Sequence, residues 1–269
     1  MLGNMLTGWC DNQLNILPVP QKIEMGEGTF LVKKGLTIVS SDARDFSANF
    51  LQDKLEPLFD FPINLSRQSV NDGYISFVTD KSLPEEGYRL DVSTKGITIA
   101  SADEAGKYYG VQTLLQLFPS EVYSGERLRL KEFPMEVVTV EDAPRFGYRG
   151  FMLDVSRTFF ELDYLKSYID WMSFHKLNKL HLHLTDDNGW RIEIKKYPEL
   201  TRKGAWRGKN ELIPPTYLSG GDRYGGYYTQ KEMKELIAYA QQRNVMIIPE
   251  FDLPGHALSS TAVFGNVTC

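Results

Sequence analysis

The second half of the chain alternates short apolar runs with amphipathic segments, and this alternation restricts the possible folds more than any other feature. The runs "YRGFMLDVS", "KLHLHL" and "VMIIPEFD" have the length and composition of buried strands. The segments between them, "LDYLKSYIDWMSFHKL" and "TQKEMKELIAYAQQR", carry apolar residues at helical spacing. Apolar strands that alternate with helices are typical of a parallel sheet that is buried on both faces. The sequence therefore predicts an α/β architecture here.

Polar residues collect where each of these predicted strands ends. In chain order they are Asp154 and Arg157, then Asp186 and Asp187, then Glu250, Asp252 and His256. The carboxyl ends of the strands are the face on which β/α barrels build active sites. A doubly wound nucleotide-binding sheet needs a glycine-rich turn after its first strand, and "LDVSRTFF" contains no glycine. We therefore expect the first part of a (β/α)8 TIM barrel, truncated after about three strands because a whole barrel needs roughly 250 residues.

The first half of the chain has a different rhythm and predicts a separate small α+β domain. "GLTIVSS" and "YISFVTD" are predicted strands, "YRLDVSTKGITIA" a hairpin, and Ser101 with Glu104 a capping box that opens a helix. The polar stretch "VEDAPRFGYRG" separates the two halves. We expect a leader over residues 1–16, an α+β domain over 17–142 and the partial barrel over 143–269.

Composition excludes two classes of protein. The formal net charge of −5 and the lack of a lysine- or arginine-rich block argue against a nucleic-acid-binding surface. The sequence contains no run of 18 apolar residues, the length that a transmembrane helix requires. The two cysteines, Cys10 and Cys269, lie near opposite ends and define neither a disulfide framework nor a metal motif. Oligomeric state is not encoded in any pattern of this kind.

The stretch "HLHLTDDNGW" concentrates chemistry at the end of one strand. His181 and His183 are two residues apart and point to the same side. They are either satisfied interior histidines or, with His256 downstream, ligands of a zinc-dependent amidohydrolase. Asp186 with His256 is a candidate carboxylate–imidazole relay, whereas Asp187 fits a turn or helix-cap role better.

Arg157, directly after the first strand, offers several donors in a planar fork. Such a fork can donate two parallel hydrogen bonds to sugar hydroxyls, although a surface ion pair would use the same atoms.

Three elements of this half resemble signatures of the family-20 glycoside hydrolases, the β-N-acetylhexosaminidases. They occur in the family's order over residues 148–260 and read "RGFMLDVSRTFF", "NKLHLHLTDDNGWRIEIKKYPELTRKGAWR" and "IPEFDLPGHALSS". The first half, including "GKYYGVQTLLQLFPS", resembles the α/β domain that precedes the barrel in that family. The resemblance implies hydrolysis of terminal N-acetylhexosamines from glycans, with no cofactor or metal. It also implies an extracellular, periplasmic or cell-envelope location.

The resemblance assigns roles to individual residues. Arg157 matches the arginine that holds hydroxyls of the terminal sugar. Asp186 and His256 match a relay that tunes the proton affinity of the catalytic acid, and Asp252 supports the same cluster. Glu250 is expected to brace the end of the third strand. His181 and His183 are expected to pack in the interior. Trp190 and Trp206 are expected to pack the long loop that the sequence predicts between the second strand and the second helix, over roughly residues 186–228.

The sequence departs from the family pattern in three ways. Asn188 stands where the family more often has glutamine, and Thr158 where histidine is common. The third departure concerns the reaction itself. The resemblance implies substrate-assisted catalysis, in which the 2-acetamido oxygen of the sugar attacks the anomeric carbon. An aspartate that orients the acetamido group and a glutamate that protonates the leaving oxygen lie in an "H-x-G-G-D-E" element.

This element is absent from the 269 residues, whose only Asp-Glu dipeptide is Asp103–Glu104. We therefore expect this chain to be an inactive front portion of a hexosaminidase. A non-catalytic sugar-binding remnant is a further alternative, beside the metal-dependent amidohydrolase.

Overall fold

A computed structural model describes residues 14–217 and 219–265. The predicted leader therefore lies almost wholly outside the described residues, as do Cys10 and Cys269. The chain divides into two compact units, and the boundary along the chain falls between Arg145 and Phe146. Among the described residues, no helix has both the length and the apolar character needed to cross a membrane.

The first unit is built on a seven-stranded mixed sheet. Its strands are β1 (Lys22–Lys33), β2 (Thr37–Val39), β3 (Asn64–Ser66), β4 (Tyr74–Thr79), β5 (Tyr88–Val92), β6 (Gly96–Ser101) and β7 (Glu132–Asp142). The order across the sheet is β1-β7-β5-β6-β4-β2-β3. β5 and β6 pair antiparallel, so the hairpin prediction is confirmed.

The helices of the first unit pack on this sheet over an apolar core. They are α1 (Phe46–Leu55), α2 (Glu104–Leu115) and the short α3 (Glu121–Ser124), with a 3-10 turn at Glu56–Leu58. Core side chains such as Leu51, Ile99 and Leu114 are fully buried.

The capping box predicted for Ser101 and Glu104 is wrong. Ser101 is the last residue of β6, and Asp103 is the N-cap of α2, accepting a hydrogen bond from the Gly106 amide. Because Asp103 is itself a strong capping residue, the helix begins two residues later than the Ser-x-x-Glu spacing indicated.

The second unit contains three parallel strands joined by helices. Its strands are β8 (Gly150–Asp154), β9 (Lys179–Asp186), β10 (Gly189–Trp190), β11 (Trp206–Arg207), β12 (Tyr224–Gly225) and β13 (Met246–Phe251). β9 lies between β8 and β13 and is parallel to both. The predicted parallel strand–helix alternation is therefore confirmed over these residues.

The helices of the second unit are α4 (Leu162–Phe174), α5 (Glu199–Arg202), α6 (Gln230–Gln242) and α7 (Leu258–Phe264). Leu180, Leu182 and Leu184 of β9 join the same buried cluster as Leu165 of α4 and Leu236 of α6. One face of β9 therefore packs on the helices.

Candidate active site

The carboxylate of Asp186, at the end of β9, is the centre of the candidate site. The residue is only 1% exposed, yet both of its oxygens have partners. Oδ2 lies 2.6 Å from a guanidinium nitrogen of Arg157 and 2.9 Å from Nε2 of His183. Oδ1 accepts the backbone N–H of Asp187 at 2.6 Å and lies 3.5 Å from Nδ1 of His256. A carboxylate with this many donors is satisfied as an anion despite its burial.

His183 connects this carboxylate to the neighbouring strand. Its Nδ1 lies 2.9 Å from Oε2 of Glu250, and its Nε2 faces Asp186. His181 also reaches Glu250 Oε2, at 2.7 Å through Nε2. Glu250 therefore braces β13 against β9 through both histidines, in the role that the sequence predicted for it.

His181 and His183 are thus on the face of β9 that lies opposite its helix-packed leucines. The prediction that they are interior packing groups does not describe His183, which is hydrogen-bonded to two carboxylates.

A register shift brings His183 and Asp186 to the same face. In a regular strand, residues three apart point to opposite faces. Glu250 pairs with His183 but Phe251 pairs with Thr185, so β9 has one extra residue at this point. The shift is a β-bulge, a feature that commonly re-aims side chains near functional sites.

Arg157 lies at the end of β8 and holds two carboxylates together. Its guanidinium contacts Asp154 at 2.6 Å as well as Asp186. The hydrogen bond to Asp154, outweighing partial burial, raises the pKa of Arg157 above its ordinary value. The side chain is 32% exposed and also has a hydrogen bond to Tyr217.

His256 and Asp252 follow β13 in the loop that leads to α7. His256 has a φ of 50°, a left-handed conformation that non-glycine residues rarely adopt and that recurs at functional sites. Its side chain is about half exposed, so one ring nitrogen faces Asp186 while the ring edge reaches solvent. The Asp252 backbone N–H donates to Thr185 Oγ1 at 3.0 Å, which ties this loop to β9.

Asp187 has a different role from its neighbour. Its Oδ1 accepts the Leu258 backbone N–H at 2.9 Å, at the start of α7. This is the helix-cap role that the sequence predicted for it.

Arg191 is a buried structural residue to which the sequence pattern assigned no role. It is fully buried, and its guanidinium donates only to backbone carbonyls, those of Val155, Ser156, Asn188, Ala205 and Gly226. Burial, with the nearby Arg207 charge, lowers its pKa to about 10. The Asn-Gly-Trp-Arg sequence after the two aspartates fits this role, because a Cβ at Gly189 would lie 2.1 Å from the Arg191 guanidinium carbon.

The long loop is packed by its tryptophans, as the sequence indicated. Trp190 is buried against Phe251 and donates from Nε1 to the Ile192 carbonyl at 2.8 Å. The Arg223 guanidinium lies over Trp206, with its Cζ 3.7 Å from the centre of the Trp206 ring.

The two local departures from the family pattern, Asn188 and Thr158, directly follow Asp187 and Arg157 in the sequence. Asn188 is buried and donates to Thr216 Oγ1 at 2.6 Å, and Thr158 is exposed.

Two groups of side chains have potential metal-ligand atoms within 4.8 Å of one another. They are His183 with Glu250 and Asp252, and Asp186 with Asp187 and His256. In the first group His183 Nδ1 is in direct hydrogen-bond contact with Glu250, and in the second Asp187 is already bonded to the Leu258 amide. The geometry therefore describes a carboxylate–imidazole network.

Carboxylates, imidazoles and a guanidinium therefore gather at the carboxyl ends of the parallel strands, the position at which α/β enzymes commonly carry their active sites. The chain belongs to glycosyl hydrolase family 20. The model of that family's catalytic domain matches residues 146–269, and the model of its domain 2 matches residues 13–143. Family membership overrides the zinc-dependent amidohydrolase that the His-x-His pattern left open.

Curated relatives have consistent names. A β-hexosaminidase from Porphyromonas gingivalis is 39% identical over 265 residues, covering 96% of this chain and 33% of that protein. An N,N'-diacetylchitobiase from Vibrio harveyi is 35% identical, covering 92% of this chain and 28% of that protein. The chain thus spans about a third of the length of the relatives that it matches.

Solved structures of family-20 enzymes also resemble this chain. The N-acetyl-β-hexosaminidase of Streptomyces plicatus, in complex with Thio-NAglucal, has a TM-score of 0.83 and 36% identity, over 94% of this chain and 49% of that one. A family-20 exo-β-N-acetylglucosaminidase from Vibrio harveyi, in complex with N-acetylglucosamine, has a TM-score of 0.83 over 93% and 38% of the two chains.

Proposed function

We propose that residues 146–265 form the first portion of a (β/α)8 barrel that carries part of the active site of a β-N-acetylhexosaminidase. The similarity to family-20 structures and the parallel order β8-β9-β13 support the barrel. In this proposal the reaction is hydrolysis of a terminal N-acetylglucosamine or N-acetylgalactosamine from a glycan. The names of the relatives and the bound N-acetylglucosamine in one of the solved structures support this substrate class.

The observation that carries the proposal is the pairing of Asp186 with His256. A buried carboxylate whose Oδ1 faces an imidazole Nδ1 can fix the tautomer of that ring and stabilise its cation. The other ring nitrogen is then directed away from Asp186, where it can meet a catalytic acid. Asp186 and His256 therefore act as the relay, and Asp252 supports the loop that holds His256.

Arg157 is the proposed sugar-binding residue of this portion. Its ion pairs with Asp154 and Asp186 fix the plane of the guanidinium, and fixed donors lose less entropy when a ligand binds. The exposed part of the fork would donate to ring hydroxyls of the terminal sugar.

The two groups that act on the anomeric centre are outside this set. The sequence has no "H-x-G-G-D-E" element to supply the acetamido-orienting aspartate and the acid. We therefore expect the 269 residues by themselves to give no turnover of an aryl N-acetyl-β-glucosaminide above a buffer blank.

The experiment is a hybrid in which the chain replaces the matching part of a full-length relative. The proposal predicts that the folded hybrid hydrolyses the aryl N-acetyl-β-glucosaminide. A folded hybrid without turnover would refute it. If the chain alone nevertheless bound N-acetylglucosamine saturably, the non-catalytic sugar-binding alternative would be favoured instead.

A further inference from the structure

The imidazole of His183 lies between two carboxylates, and this geometry restricts its protonation state. The residue is 6% exposed, and each ring nitrogen is 2.9 Å from a carboxylate oxygen, of Glu250 on one side and Asp186 on the other. A neutral imidazole has one N–H donor and one lone pair. Ionised carboxylates only accept, so a neutral ring would direct a lone pair at one of them. A ring with both nitrogens protonated satisfies both contacts.

The surrounding charges favour this cationic ring. Four carboxylates face or adjoin it: Asp154 from β8, Asp186 from β9, and Glu250 and Asp252 from β13 and the loop after it. The nearby basic groups are Arg157, which reaches the ring through Asp186, His181, which reaches it through Glu250, and His256 on the far oxygen of Asp186. Burial favours the neutral ring, but the hydrogen bonds to Glu250 and Asp186 outweigh it and raise the pKa of His183.

We propose that His183 is a positioning residue, a buried imidazolium that donates to Asp186 and Glu250 at once and thereby fixes the relay carboxylate. Oδ2 of Asp186 is then occupied by His183 and Arg157, so only Oδ1 is left to face His256. The importance of this orientation for catalysis rests on the proposed hexosaminidase function. The protonation state of His183 and the geometry around it are independent of that proposed function.

The protonation state is tested directly on the 269-residue chain by nitrogen-15 NMR of its four histidines. The His183 signal is assigned by its loss in His183→Gln. The expected result is that both ring nitrogens of His183 carry protons at neutral pH, with a titration midpoint above the ordinary value of 6.5. A single neutral tautomer of His183 at neutral pH, or a midpoint below 6.5, would overturn the proposal whatever the enzymatic outcome.

Two matched variants separate this role from general packing. His181→Gln removes the other imidazole that contacts Glu250 without touching Asp186, and His183 should stay doubly protonated in it. Glu250→Gln removes one of the two anionic partners, and the His183 midpoint should fall.

The pH profile of stability gives a second readout that packing alone would not move. A raised folded-state pKa stabilises the protein fully below the unfolded value, and this contribution is lost as pH rises through the folded pKa. The stability difference between wild type and His183→Gln should therefore be largest between about pH 4.5 and 6.5, where the carboxylates are ionised and the ring is charged, and shrink as pH rises. A difference independent of pH would mean that His183 only fills space. If His183→Gln does not fold, the His183 ring signals are assigned instead by through-bond correlation with its own backbone, and the wild-type midpoint and the two matched variants still decide.

Discussion

At the residue scale, the site depends on charges that are buried together and satisfied by one another. Asp186 is nearly inaccessible, and without it Arg157 and His183 would each lose one of their two carboxylate acceptors. Removing one member of a buried charge network leaves uncompensated charge in a poorly solvated place, which costs more than the network contributes.

Asp186→Ala should therefore destabilise the second unit by about 3–5 kcal/mol. The measurement is urea unfolding followed by tryptophan fluorescence. The control is Asp187→Asn, which keeps an oxygen acceptor for the Leu258 amide and should change stability far less. Equal losses in the two variants would contradict the assignment of the two adjacent aspartates to different roles.

Glu250 should show its partnership in the acid limb of stability. Burial raises its pKa, but hydrogen bonds and charge interactions with His183 and His181 outweigh burial and lower it below the ordinary 4.5. Its contribution is therefore present above 4.5 and is lost as pH falls through the folded pKa. Urea midpoints of wild type and Glu250→Gln should differ at neutral pH and converge in acid. A gap that widened toward low pH would have the wrong sign.

Gly189 should tolerate no side chain, because Arg191 occupies the space. Gly189→Ala would place a carbon against a guanidinium that five backbone carbonyls hold, and overpacking of this kind costs about 1–3 kcal/mol. Gly221→Ala is the matched control, since a Cβ there meets no atom within 4 Å. Thermal unfolding of both variants measures the difference. If Gly189→Ala were as stable as Gly221→Ala, Arg191 would not occupy the space beside Gly189 as described.

The sequence predicted only part of this residue-scale picture. Residue type and the ends of the strands were enough to bring Arg157, Asp186 and His256 together. For His183 we expected interior packing and not hydrogen bonds to two carboxylates, and to Arg191 we assigned no role. His183 shares a face with Asp186 only because of a bulge that strand alternation does not encode. The guanidinium of Arg191 donates to backbone carbonyls, acceptors that every residue has and that therefore do not mark its partners in the sequence.

At the element scale, helix termini are fixed by local hydrogen bonds. In α6 the Thr229 hydroxyl accepts the Glu232 amide at 3.1 Å, while the Glu232 carboxylate accepts the Thr229 amide at 2.7 Å. Both donors would otherwise lack intrahelical partners. The N-cap of α4 is Glu161, whose side chain makes no such bond.

Thr229→Ala should therefore cost about 1 kcal/mol of stability, the usual value of an N-cap side chain. Glu161→Ala, at the N-cap of α4 in the same unit, is the matched control and should cost much less stability. Chemical denaturation monitored by circular dichroism measures both. A loss at Glu161 as large as that at Thr229 would show that the cap contributes nothing specific.

Element types were more predictable than their ends. Periodicity placed α4, α6 and the three parallel strands, because long amphipathic segments and continuous apolar runs are strong signals. The start of α2 was misplaced because Ser101 and Asp103 are both good caps and only packing chooses between them. The strands β1 and β7, which pair along most of their length, were not predicted, since long-range pairing leaves little local pattern.

At the scale of the whole molecule, each unit has its own buried core and matches a different model of the same family. The boundary between the units falls near the polar stretch that the composition indicated, and the predicted domain limits remain a prediction. The expected cell-envelope location likewise remains a prediction, as no feature of the described residues bears on it.

The proposed relay of Asp186 and His256 is tested most directly by kcat of the hybrid enzyme. Asp186→Asn in the hybrid should lower kcat for an aryl N-acetyl-β-glucosaminide by about 10²-fold or more, because the catalytic acid loses its tuning partner. Asp187→Asn should leave kcat little changed. A folded hybrid that kept its full kcat without the Asp186 carboxylate would contradict the proposed relay role of Asp186.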